Sequence, residues 1–99
     1  MFKKLLEKKS ARYSKEFDAL EKRQAELQDC FYRIKYEILE ILESVKQISD
    51  FDERMEKTRE AVEKLDDLGE CDTLIKNISI DISKCKVKKM FVSALMGRH

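Results

Sequence analysis

Residues 13–48 read YSKEFDALEKRQAELQDCFYRIKYEILEILESVKQI, and their spacing decides the fold. Tyr13, Phe17, Leu20, Gln24, Leu27, Phe31, Ile34, Ile38, Ile41, Val45 and Ile48 follow one another at alternating steps of four and three. Leu6 extends the series backward. A sustained seven-residue repeat places one stripe along an α-helix and favours left-handed supercoiling against another helix. Gln24 is the one polar layer, a position where coiled coils set register or oligomeric state. The stripe is narrow over residues 7–29 and widens over 30–48, where Tyr32, Tyr36, Leu39 and Leu42 flank it. A narrow stripe meets one neighbouring helix and a broad one meets two. The second half of this helix is therefore expected among three helices, and the first half is not.

Composition points the same way. Proline is absent, glycine occurs twice, and 41 % of the 99 residues are charged, which suits long helices better than a sandwich or barrel. Beyond Ile48 the phase slips. Ser49-Asp50-Phe51-Asp52-Glu53 offers two N-caps, Ser49 or Asp50. A weaker four-three run follows through Phe51, Met55, Thr58, Val62 and Leu65, and Leu68-Gly69 reads as a helix stop. Asp72 or Thr73 is a cap for the next element. Ile78, Ile80 and Ile82 alternate with polar residues as in a strand, yet no second strand exists to pair with it. Ile75, Ile78, Ile82, Cys85, Val92 and Met96 fit a helix interrupted at Lys89. The expectation is one all-α domain over residues 1–99, with helix 1 about 3–48, helix 2 about 51–68 and helix 3 about 73–96. The alternative is a two-helix antiparallel hairpin.

Charge chooses between these topologies at the level of sequence. Residues 1–36 carry +4, residues 37–72 carry −8, and residues 73–99 carry +5. A hairpin lays Lys84, Lys86, Lys88 and Lys89 beside Lys8, Lys9, Arg12 and Lys15, like against like. A second turn at Gly69 brings those lysines near Glu37, Glu40, Glu43 and Asp50 instead. Each exposed pair contributes well under ~1 kcal/mol, but all act in one direction. The three-helix reading leaves the first half of helix 1 as an arm about 40 Å long, at about 1.5 Å per residue. Its seam of Leu6, Tyr13, Phe17, Leu20, Gln24 and Leu27 is then bare, and a bare apolar seam is a binding surface. Self-association into a homodimer, or capture of a partner's helix, covers it.

Catalysis has little to work with. There is no internal histidine, no Gly-rich phosphate loop and no nucleophile beside a base. Cys30, Cys71 and Cys85 are odd in number and form no CxxC pair, and the single histidine is His99. Neither a metal site nor a disulfide framework is expected. Glu56, Glu60 and Glu63 lie at helical spacing but lack the Glu-x-x-His partners of a bundle metal site, so they read as a solvated face. The chain is expected to be a non-enzymatic protein–protein interaction module (adaptor, assembly component or small helical chaperone) with no cofactor and no small-molecule substrate. Two rival classes use the C-terminal third. Lys84, Lys86, Lys88 and Lys89 form a basic cluster suited to nucleic acid. Residues 86–96 form a basic amphipathic segment suited to an anionic membrane surface or, through Phe91, Leu95 and Met96, to a partner's groove. No apolar run approaches the ~20 residues of a membrane span, and three free thiols suit a reducing compartment, so a cytoplasmic location is expected.

Overall fold

The computed structural model describes residues 2–97, and within them the fold is all-helical: α1 (Phe2–Gln47) and α2 (Phe51–Gly97). The two-helix alternative therefore replaces the three-helix arrangement. Three residues separate the helices. Ile48 N donates to Val45 O at 3.2 Å, closing α1, and Asp50 Oδ2 accepts from Glu53 N at 3.0 Å, capping α2. Of the two caps offered by the sequence, Asp50 is the one used. Asp52 and Glu53 in the first turn of α2 complement its N-terminal dipole.

Gly69 stops nothing. It lies inside α2 with no positive φ, and a Cβ built on it meets nothing within 4 Å. An isolated glycine costs a helix about 1 kcal/mol against alanine, too little to end one that packs on both sides of it. Residues 78–83 are helical as well, so the alternating isoleucines form no strand.

The chain divides into two compact units. The first unit joins residues 1–25 to residues 76–99. Leu6, Cys85 and Val92 are buried there, with Tyr13, Phe17, Leu20 and Gln24 half-buried against Ile78, Ile82, Lys89 and Met96. The Cys85 thiol donates to Tyr13 O at 3.2 Å, and Gln24 Nε2 donates to Ser79 Oγ at 2.8 Å. The projecting arm is thus corrected: α2 covers it. Formal charge did not forbid this, because exposed lysines are screened by solvent and salt. Two of them also turn to aromatic faces, with Lys88 Nζ 5.8 Å from the Tyr13 ring centre and Lys89 Nζ 5.0 Å from that of Phe17.

The second unit, residues 26–75, is a helical hairpin. Leu27, Ile38, Ala61 and Cys71 are its buried apolar residues, with Phe31, Ile34, Ile41 and Val45 half-buried beside them. Along α2 the inward positions are Lys57, Ala61, Lys64, Leu68, Cys71 and Ile75, again at alternating steps of four and three. Phe51, Met55, Thr58, Val62 and Leu65, the run that sequence spacing placed in the seam, are all exposed.

Candidate functional site

The outward rotation of that run builds the most apolar surface of the second unit. Helix positions step by about 100° per residue, so each seam has two flanks. One flank is fixed by charge contacts. Lys64 Nζ lies 2.8 Å from Glu37 Oε2, and Glu60 and Asp67 add to the field around the same ammonium. The Glu37 hydrogen bond holds Lys64 above its ordinary pKa, and the reciprocal bond from Lys64 holds the Glu37 carboxyl below its own. Glu37, Glu60 and Asp67 precede the seam residues Ile38, Ala61 and Leu68 by one position. Leu42 follows seam residue Ile41, and Thr58 and Leu65 follow Lys57 and Lys64, so all three fall on the opposite flank. A turn away from them on the same side lie Tyr32, Leu39, Met55 and Val62.

Because α1 and α2 run in opposite directions, their like flanks meet. Tyr32, Leu39 and Leu42 from α1 therefore share one face of the hairpin with Phe51, Met55, Val62 and Leu65 from α2. Exposure runs from 44 % at Leu42 to 72 % at Phe51. Soluble single chains rarely leave so many large apolar side chains together in water. The opposite flank of α2 is acidic, with Glu53, Glu56, Glu60 and Glu63 around a shallow groove that also holds Lys57 and Arg59.

The residues singled out by sequence lie elsewhere. Leu6, Tyr13, Phe17, Leu20 and Gln24 face α2 within the first unit, and Leu27 does so within the second. Phe91 is exposed, whereas Leu95 and Met96 are half-buried. Lys84, Lys86 and Lys88 are exposed and Lys89 is half-buried. His99 lies outside the described residues. Among the described residues, no group of three or more His, Cys, Asp or Glu side chains is placed to hold a metal ion, and no helix is long and apolar enough to cross a membrane.

Cys71 is buried, and its thiol donates to Leu27 O at 3.2 Å. Burial pushes its pKa up, and the neighbouring Cys30 adds to the shift.

Phe51, Met55, Val62 and Leu65 were missed as surface because they are the more apolar of two competing stripes. A signal was present. Running the phase of Ile82, Ile78, Ile75 and Cys71 backward by three and four lands on Leu68, Lys64, Ala61 and Lys57, the stripe that faces α1. No family model, curated protein or solved structure matches the chain.

Proposed function

We propose that the chain is a protein–protein interaction module, an adaptor, assembly component or small helical chaperone, that docks a helical partner on the apolar face of its second unit. The observation that carries this reading is the side-by-side exposure of Leu39, Leu42, Met55, Val62 and Leu65 on a hairpin whose own seam is built partly from lysine stems and alanine. Two antiparallel helices together supply the apolar side chains of a groove that a third amphipathic helix fills at i, i+3, i+4 and i+7 positions. Covering such a face removes apolar area from water at about 25 cal/mol per Å², and helices of this kind owe their stability to tertiary packing. The reading involves no reaction and no cofactor.

A photoreactive amino acid at position 65, in the cells that express the protein, tests the proposal. Protein adducts are expected from position 65. Few are expected from position 63, which lies on the acidic flank. An absence of protein adducts at positions 39, 62 and 65 alike refutes it.

A further inference from the structure

We infer that the occupant of this apolar face is the basic first unit of a second copy of the same chain. The inference rests on the docking reading above and names its partner. The units are oppositely charged. Residues 26–75 hold seven Lys or Arg against fifteen Asp or Glu, a formal −8, while residues 1–25 and 76–99 together hold fourteen against five, a formal +9. Stacking two acidic units face to face sets −8 against −8. Laying the basic unit of one copy on the acidic unit of another sets +9 against −8, and fields of this size steer association and choose among partners.

The rim of the face does not select by itself. Glu43, Asp52 and Asp66 border it, while Lys35 and Lys46 lie within it, one position after the seam residues Ile34 and Val45. Selection belongs to the whole-unit field.

The basic unit also supplies the apolar half of the contact. Ile80, Val87 and Met90 are 53 %, 65 % and 71 % exposed, at spacings that place them on one side of α2. Ser83 leaves a shallow apolar groove between Ile80 and Val87, flanked by Lys84 and Lys88. A basic amphipathic helix is the complement that an acidic, apolar-faced hairpin needs, and each copy brings one.

The test uses the full chain. Light scattering of the wild type at micromolar concentration and low salt is expected to give at least twice the single-chain mass. The dissociation constant should rise about tenfold between roughly 0.05 M and 0.5 M salt, since opposite-charge pairing is screened. Association that strengthens with salt overturns the inference, because it marks like-charged or purely apolar faces meeting. Two double variants then locate the surfaces. Val62→Glu with Leu65→Glu makes the acidic unit more acidic, and Val87→Lys with Met90→Lys makes the basic unit more basic, so charge attraction grows in both while apolar contact is lost. Each alone is expected to run as a monomer of unchanged helicity. An equimolar mixture, which retains one intact face and one intact stripe, is expected to recover the doubled mass. Self-association of the Val87/Met90 variant by itself overturns the inference. A wild-type chain that stays monomeric overturns it too, and adducts at position 65 to other proteins would then leave the docking reading standing without it.

Discussion

Replacing Leu27 with alanine should destabilise the hairpin by about 2–3 kcal/mol, while the same change at Leu65 should cost about 1 kcal/mol. Leu27 is 8 % exposed and packs in the seam, where the Cys71 thiol reaches its carbonyl. Truncation removes three carbons at about 0.8 kcal/mol each, about 2.4 kcal/mol of lost burial. A two-helix seam is open to water on both flanks and relaxes easily, so the cavity contribution keeps the total near the low end of the usual range for Leu→Ala. Leu65 is 51 % exposed, and its loss scales accordingly. Urea unfolding followed by far-ultraviolet circular dichroism, at a dilution where the chain is monomeric, measures both, and an unchanged m-value licenses the comparison. Equal costs at the two positions would refute the rotation of α2, because they would mean that Val62 and Leu65, rather than Ala61 and Lys64, face α1.

Three further outcomes follow from the same geometry. Ala61→Asp buries a short carboxylate at a position 3 % exposed and should cost at least about 2 kcal/mol in thermal or urea unfolding, whereas Val62→Asp next to it should cost under about 1 kcal/mol. Lys64→Met should flatten the acid limb of the stability–pH profile: the lowered Glu37 pKa contributes stability above the ordinary carboxylate value, and that stability is lost as pH falls through the folded value. The raised Lys64 pKa works in the opposite sense, contributing below the ordinary lysine value and fading as pH rises through the folded one, so the variant should lose that alkaline limb too. Treatment with a thiol oxidant such as diamide should join Cys30 to Cys71 within one chain, read by peptide mapping as the loss of two hydrogens from that pair; cross-links confined to Cys85 or to separate chains would contradict their placement across the seam.

How much of this was legible in the sequence differs between the helices. Along α1 and into the connector, every position of the four-three series from Tyr13 to Ile48 is buried or half-buried, because there the apolar residues and the seam coincide. A helix start near residue 50 was legible from two local capping signals, Ser49 with Asp52 and Asp50 with Glu53, and the structure uses Asp50. The first half of α2 was misread because packing chose the less apolar stripe. Lys57 and Lys64 lay their aliphatic stems along the seam and Ala61 lets the helices approach, while the conspicuous Phe51, Met55, Val62 and Leu65 turn outward. Gly69 was read as a stop because its lack of a Cβ favours caps, but an element that goes on to bury Cys71 and half-bury Ile75 and Ile78 overrides one poor helix former. Charge sorting suggested a fold that paired lysines with glutamates inside one molecule. Screening makes each such pair weak, and the apolar seam decides.

Hydroxyl-radical footprinting of the full chain, dilute and concentrated, tests the docking face most directly. Tyr32, Met55 and Met90 are open to solvent in the single chain and should react readily when dilute. On association all three should be protected, while Leu74, exposed on the other flank, keeps its reactivity. Associated protein in which Tyr32 and Met55 react as fast as in the dilute chain would contradict the account.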